Sequence, residues 1–469
     1  MTGSWSVAGV DLHVDLDAAG GRRAALEHGL RDAIRSGRLQ PQARLPATRR
    51  LAAELGLSRG TVQAAYDQLT AEGYLTARQG AGTVVTPLAE PPAGPAATGE
   101  APAAPALDLR PGSPDTATFP VAAWLRAVRR ALATATADTY GYGDPRGRIE
   151  LRTALAEYLG RTRGVLARPG QIVVVSGYVQ ALALLTRVLA AAGGRTAALE
   201  DPGLGFHREV VRRGGLSVVP LPVDDRGARV AALAGPVDAV VVTPAHQYPT
   251  GVPLHPVRRR ELVGWARACG ALVVEDDYDG EFRYDRQPIG ALQGTAPGQV
   301  AYLGTVSKSL APALRLAWMV LPEHLVDPVV DLKLHSDHHT ETLGQLALAE
   351  LIAGHGYDRH VRAVRMRYRR RRDLLVDRLA PAGGDAPAGR VQGIAAGLHA
   401  LVELPGDGPD EAELRGRAAA AGLALGWLGD HWHVPGDRPQ GLVVGYGTPR
   451  ERDYPAALDA LTGLLSRPR

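Results

Sequence analysis

Between Val165 and Leu303 short apolar runs alternate with helical stretches, and this pattern constrains the fold more than any other feature of the chain. Apolar strands separated by helices form a mostly parallel sheet covered on both faces. Ala271-Leu272-Val273-Val274 is such a strand, and it runs straight into Glu275-Asp276-Asp277-Tyr278-Asp279. Carboxylates at the carboxyl end of a buried parallel strand face the crevice where α/β sheets bind ligands. Upstream, Gln171 to Leu182 reads as strand, glycine turn at Gly177, then helix. That arrangement makes an anion cradle from backbone N–H groups at a helix N-terminus. The stretch Thr243-Pro244-Ala245-His246-Gln247-Tyr248-Pro249-Thr250-Gly251 lies between the two.

The sequence holds only two lysines, Lys308 and Lys333, against more than fifty arginines. Arginine keeps its proton near neutral pH, whereas a lysine amine can lose it and attack a carbonyl. Lys308 sits just after an apolar run, in Thr305-Val306-Ser307-Lys308-Ser309, which marks it as a Schiff-base lysine. Lys333, in the mixed stretch Asp331-Leu332-Lys333-Leu334-His335, reads as an ordinary surface lysine. A Schiff base to pyridoxal 5′-phosphate (PLP) needs an anion site, a carboxylate at the pyridine nitrogen and a donor to the phenolic oxygen. Thr305, Ser307 and Arg315 supply hydroxyls and a bidentate cation beside the lysine. The turn at Gly177 and the carboxylates after Val274 complete the set.

At 469 residues the chain exceeds one ordinary domain. No apolar run approaches the roughly 18 to 20 residues that a membrane span requires, and no secretion signal is evident. Cys269 is the only cysteine, which excludes an internal disulfide framework and suits a reducing cytoplasm. The net charge of +4 does not announce nucleic acid, yet residues 22–86 carry ten arginines against five acids. There Leu26, Leu30 and Ile34 mark a helix stopped at Gly37; Thr48 caps a short helix that turns at Gly56; Val62, Ala65, Tyr66 and Leu69 mark a third, with Arg59 and Gln63 opposite. Two helices joined by a glycine turn, the second led by polar residues, form a helix-turn-helix whose N-terminal end reaches base edges. Gly73 to Val85 follows as a hairpin with a glycine-rich tip, a wing. Pro87 to Ala106, mostly Ala, Pro, Gly and Glu, reads as a linker. His335, His338, His339, His431 and His433 lack a closed ligand spacing, so no metal site is expected. Arg369 to Arg372 read as a solvated helix face.

On the motifs Glu275 to Tyr284 and Thr305 to Arg315 the chain from about Asp108 onward resembles fold-type-I aminotransferases. Residues 22–86 closely resemble the GntR-type winged helix, and the two together look like the MocR group of GntR-family regulators. The resemblance implies two domains: a winged helix-turn-helix over residues 1–86, a linker over 87–107, and an α/β PLP-binding aminotransferase-like domain over 108–469. Of the latter, a large part runs to about 343 and a small part follows from about 344. It implies that Lys308 forms the Schiff base with PLP and that Tyr278 reaches the phenolic oxygen. Of the adjacent carboxylates, the family's Asp-x-Tyr spacing favours Asp276 over Asp277 at the pyridine nitrogen. Arg315, Thr305 and Ser307 would hold the phosphate together with the turn Gly177-Tyr178-Val179. A homodimer is implied, with Tyr142 reaching the phosphate bound to the partner subunit. For DNA, the resemblance carries over Arg49, Ser58, Arg59 and Gln63, with Gln79 and Gly80 at the wing tip.

Three departures bear on function. Tyr248 stands where transaminases place an asparagine before Pro-Thr-Gly, so His246 becomes the substitute donor to the phenolic oxygen. Leu204 stands where an aromatic residue stacks on the pyridine ring, with Phe206 close by. Val443 stands where amino-acid transaminases carry the arginine that clamps the substrate carboxylate. Each change leaves Schiff-base chemistry in place and weakens the positioning of an amino-acid substrate. The expectation is therefore a cytoplasmic transcriptional regulator, not an enzyme, that binds operator DNA and senses PLP or an amine or aldehyde ligand through Lys308. Control of PLP synthesis is the expected target. The alternative is an active aminotransferase that carries a DNA-binding domain.

Overall fold

The structure, a computed structural model, describes residues 2–7, 10–15, 21–78, 82–87, 105–284, 289–380, 389–406, 408–434 and 436–466. Two compact units make up the chain, Met1–Ala103 and Ala104–Arg469. Residues 88–104, most of the expected linker, lie outside the described residues.

In the first unit the helices Arg22–Arg35, Thr48–Leu55 and Arg59–Ala71 precede an antiparallel hairpin of Leu75–Arg78 and Gly82–Val85. The helical spacing of the sequence becomes one core. Leu26, Leu30 and Ile34 meet Leu51 and Leu55 of the second helix and Val62, Ala65, Tyr66 and Leu69 of the third, closed by Leu75 and Val85. Gly56 ends the second helix at φ 62°, a left-handed turn that glycine adopts without steric cost. Thr48 is the first residue of that helix rather than its cap; Ala47 precedes it with no side-chain cap. Ser58 does cap the third helix, its Oγ accepting from the Thr61 N–H at 3.0 Å. Two further strands, Thr2–Val7 and Val10–Asp15, pair antiparallel ahead of the helices.

The second unit is built on an eight-stranded sheet. Its order is Ile172–Val175, Ala317–Val320, Val300–Thr305, Leu272–Asp276, Ala239–Val242, Thr196–Asp201, Ser217–Asp224 and Gly227–Ala228. The five from Val300–Thr305 to Ser217–Asp224 run parallel, whereas Ala317–Val320 is antiparallel to both neighbours. Apolar clusters cover both faces, one with Leu182 and Leu185 of the helix Tyr178–Ala191, the other with Leu155 and Trp318. A smaller antiparallel sheet of Arg390–Gln392, His399–Glu403, Gly441–Gly445 and Gly426–Trp427 stands towards the C-terminus. Helices Gly356–Leu379 and Tyr454–Leu465 contribute Tyr368, Leu375, Leu458 and Leu461 to its core.

The two parts interleave in sequence. Leu107–Asp108 pairs with Leu423–Ala424, and Leu109 lies in the C-terminal core. The helix Thr342–Ala353 packs instead with the large sheet through Leu348 and Ile352. Lys333 differs from its sequence reading: it is fully buried, and its amine reaches Asp337 at 2.8 Å across one helical turn. A long aliphatic stem lets the lysine bury its carbons while the charge meets a partner at the edge. Among the described residues no helix is long and apolar enough to cross a membrane.

Candidate functional site

The carboxyl ends of the parallel strands open onto a cavity of about 370 Å³, the position where α/β sheets bind ligands. Lys308 lines it, three residues beyond the strand Val300–Thr305. Its amine donates to the Gly112 carbonyl. Burial lowers its pKa below the usual lysine value, and Asp276 and Asp279 only partly oppose this. A lysine so placed is easier to deprotonate, and the free amine is the nucleophilic form.

Beside the lysine lies an anion cradle. The strand Ile172–Val175 ends at Ser176-Gly177, where the helix Tyr178–Ala191 begins with its N–H groups facing the cavity end. A Cβ on Gly177 would come within 2.8 Å of the Arg315 guanidinium, so only glycine lets that cation lie over the turn. Arg315 itself is in the left-handed region at φ 52°, a strained setting for a non-glycine residue, and has no carboxylate partner among the described residues. Thr305 Oγ1 bonds Ser307 Oγ at 2.9 Å and accepts from the Ser307 N–H at 3.1 Å, which fixes both hydroxyls. Gly177, Tyr178, Val179, Thr305, Ser307 and Arg315 all line the cavity. Their donors fit a phosphate.

Asp276 and Asp277 diverge. Asp276, at the end of its strand, lines the cavity and is buried. Burial raises its pKa well above the usual carboxylate value, with Asp277 and Asp279 adding to the effect and Lys308 opposing it. Such a carboxyl is stabilised in its charged form by a ligand N–H⁺. The Tyr178 hydroxyl lies near enough to perturb it, yet no hydrogen bond of normal geometry joins the two. Asp277 turns the other way into a bidentate pair with Arg163 at 2.7 and 2.8 Å and accepts from the Tyr302 hydroxyl at 2.7 Å.

Tyr278 also lines the cavity, and its hydroxyl donates to the His246 carbonyl at 3.1 Å. His246 differs from its sequence expectation. It stands behind this wall rather than on it, 3% exposed, with Nδ1 bonded to Asp279 at 2.8 Å. Tyr248 occupies the wall, edge-on to His399 and His431. His246, Asp279 and His399 bring one ligand atom each within 4.8 Å; the His246–Asp279 contact has the length of a hydrogen bond, and that bond occupies Nδ1. Tyr142 is 85% exposed and stacks on His338 at 4.7 Å, away from this chain's cavity.

Several wall residues were not singled out in the sequence. Phe206 is 63% exposed and off the wall; its neighbour His207 lines the cavity against Tyr178, ring centroids 4.6 Å apart. Burial pushes the His207 pKa down to about 4, with Lys308 and Arg208 adding to it. Arg208 is buried and donates to the carbonyls of Gly203, His431 and Trp432. Asp201 accepts from the His433 N–H at 2.7 Å. The segment around His431 is thus stapled to the large sheet beside the cavity. Val443 lies buried with Leu401 and Leu428 against Tyr248 and Trp432.

In the first unit Arg49, Arg59 and Gln63 are exposed, on the face opposite the core. Arg49 and Arg59 have no acidic partner among the described residues. Gln63 donates to Asp67 at 2.8 Å, and Ser58 is engaged as the cap described above. Gln79 and Gly80 lie outside the described residues.

Comparison with known proteins matches residues 22–85 to the family "Bacterial regulatory proteins, gntR family" and residues 105–394 to "Aminotransferase class I and II". The chain is 34% identical over 427 residues to the HTH-type pyridoxine biosynthesis transcriptional regulator PdxR of Corynebacterium glutamicum, covering 90% of this chain and 91% of that one. It is 35% identical to the probable rhizopine catabolism regulatory protein MocR of Rhizobium meliloti, covering 78% of each. Among solved structures, the multiple substrate aminotransferase of Thermococcus profundus superposes with a TM-score of 0.69 at 26% identity, covering 76% of this chain and 91% of the other. The kynurenine aminotransferase of Pyrococcus horikoshii gives 0.68 at 26%, with 76% and 90% covered.

Proposed function

The chain belongs to the GntR-family regulators in which a helix-turn-helix is fused to a class I and II aminotransferase domain, and from that premise we propose that it is a PLP-binding transcriptional regulator. The observation that carries the reading is the convergence on one cavity of Lys308, Asp276, Tyr278 and Arg315, the last without an acidic partner among the described residues. PLP, when bound, supplies an aldehyde carbon that primary amines attack. Gly177, Thr305, Ser307 and Arg315 would take its phosphate, Asp276 its pyridine nitrogen and Lys308 its aldehyde. Tyr278, anchored on the His246 carbonyl, would orient the phenolic oxygen. On this reading Tyr142 serves the phosphate bound to the partner subunit of a homodimer, and the protein acts in the cytoplasm, where its DNA is.

A sensing role fits the wall better than turnover. Val443 is packed into an apolar cluster, so no cation stands there to clamp a substrate carboxylate. A ligand at Lys308 would instead act on the joint beside it, where Arg208 and Asp201 staple the C-terminal part to the large sheet. Binding that favours one setting of this joint shifts its population, and the shift reaches DNA as a changed spacing of the two helix-turn-helix units in the dimer. Arg49, Arg59 and Gln63, exposed on one face, would meet the operator. The test is turnover against binding. The PLP-loaded chain is incubated with amino donors and keto acids while operator affinity is followed, and sustained turnover without any effect of PLP or amines on DNA binding favours an aminotransferase instead.

A further inference from the structure

Lys333 and Gln180 stand outside the cavity, and the roles above leave both unused. With Asp337 and Ser176 they form an unbroken line of hydrogen bonds that ends at the anion cradle. The Lys333 side chain is 0% exposed, and its ammonium donates to both oxygens of Asp337 at 2.8 and 2.9 Å. Asp337, the last residue of the helix Glu323–Asp337, also accepts from Gln180 Nε2 at 2.6 Å. That contact fixes the Gln180 amide, because only its nitrogen can donate to a carboxylate. Oε1 is thereby turned to Ser176, whose N–H donates to it at 2.7 Å and whose hydroxyl donates to it at 3.0 Å. Ser176 joins the strand Ile172–Val175 to Gly177.

Gln180 is the third residue of the helix Tyr178–Ala191, and a side chain that reaches back over the helix start from there is half of a capping box. The other half is absent. Gly177 stands at the cap without a side chain, so the first N–H groups of the helix have no side-chain cap and stay free for an anion. The corner is held instead by Gln180, and Gln180 by a buried charge pair. The Arg315 guanidinium lies over the same Gly177, so the setting of the corner also sets the cation. Resting on the reading of this cavity as a PLP site, we propose that Lys333 is a positioning residue of the phosphate cradle. Acting through Asp337 and Gln180, it holds the corner at Gly177 in its anion-binding setting before a ligand arrives. The preference for a phosphorylated aldehyde over its dephosphorylated form is thus set partly from outside the cavity, since a preorganised cradle spares the phosphate the cost of ordering it.

The test measures the affinities of the full-length chain for PLP and for pyridoxal, which lacks the phosphate, by equilibrium dialysis, and reads their ratio. Lys333→Met is expected to lower the preference for PLP about tenfold, the worth of roughly one hydrogen bond, with pyridoxal affinity unchanged. Gln180→Met, at a partly exposed position, is expected to cause the same loss. Lys333→Met added to Gln180→Met lowers the preference no further, because residues that act in one line are not additive. A lysine that only stabilises the fold would weaken both ligands alike, or would keep its full effect in the Gln180→Met background; either result overturns the proposal. Where Lys333→Met does not fold, Gln180→Met decides: a tenfold loss confined to PLP upholds the line, and a wild-type preference overturns it. The visible absorbance of the PLP-loaded chain, compared with Lys308→Ala, reports separately on the cofactor. A wild type with no Lys308-dependent band overturns the PLP reading and this inference together. A band with a wild-type preference in both variants overturns the role of Lys333 alone.

Discussion

Asp276 and Asp277 are neighbours in sequence, and replacing each with asparagine separates ligand binding from stability. Asp277 is paired bidentately with Arg163 at side-chain exposures of 2% and 1%. Breaking a buried pair by removing one partner costs about 3–5 kcal/mol, the lower end applying to asparagine, which still accepts from one N–H. Unfolding a unit as long as Ala104–Arg469 releases roughly 2 cal/mol/K per residue, so about 3 kcal/mol lowers Tm by about 4 °C. Asp277→Asn is expected to show that fall without cofactor. Asp276 behaves in the opposite way. Its folded pKa is raised, so the folded state holds a proton that the unfolded state has released, and this group's contribution to stability declines as pH rises past the unfolded value. A neutral side chain removes that penalty, so Asp276→Asn leaves the cofactor-free Tm at neutral pH unchanged or higher. It weakens PLP about 10- to 100-fold, the worth of a charge-assisted hydrogen bond. Differential scanning fluorimetry and equilibrium dialysis with PLP measure the two effects. The reasoning is refuted if Asp277→Asn keeps its Tm and loses PLP, or if Asp276→Asn unfolds as readily as Asp277→Asn.

Three further outcomes are expected. Gly177→Ala places a Cβ within 2.8 Å of the Arg315 guanidinium and is expected to weaken PLP at least about tenfold while sparing pyridoxal, which lacks the phosphate; equal loss of both ligands points to general damage. Glu200, buried and bonded to Thr243 at 2.5 Å, has its pKa pushed up to about 7 by burial. Its folded pKa lies above the unfolded one, so stability falls as pH rises from about 4.5 towards 7, and Glu200→Gln is expected to flatten the Tm–pH profile over that window. Arg59→Ala is expected to weaken operator binding, and if it contacts a phosphate the slope of log K against log salt falls by about 0.9; a wild-type affinity and slope remove Arg59 from the interface.

Much of this was legible because the decisive signals are local. A strand of Leu272, Val273 and Val274 that ends in carboxylates needs no knowledge of its neighbours, and neither does a lysine set among hydroxyls in a chain built with arginine. The alternation of apolar runs and helices likewise announced the sheet, but not that Ala317–Val320 would enter antiparallel between Ile172–Val175 and Val300–Thr305, since strand order is decided by contacts far apart in sequence. His399, His207 and Arg208 escaped notice for the same reason: each is an isolated polar residue whose meaning arises only when the fold brings it to Lys308. A lone histidine at the head of the apolar run Ala400-Leu401-Val402 was the one hint of His399. Lys333 misled because its setting looked polar, whereas a single helical turn supplies Asp337 and covers its stem. The hairpin of Thr2–Val7 with Val10–Asp15 was not read from the sequence.

The most direct test of the central claim is the operator affinity of the purified full-length chain, measured by fluorescence anisotropy on DNA from immediately upstream of its own gene, in one fixed salt. It is run with PLP stripped and restored, with and without ethanolamine as a simple primary amine, for the wild type and Lys308→Ala. The account predicts that PLP or its amine ligand shifts wild-type affinity at least about fivefold, the lower range of allosteric coupling, and that Lys308→Ala abolishes the shift. Specific binding that is identical in every state of both proteins would contradict it.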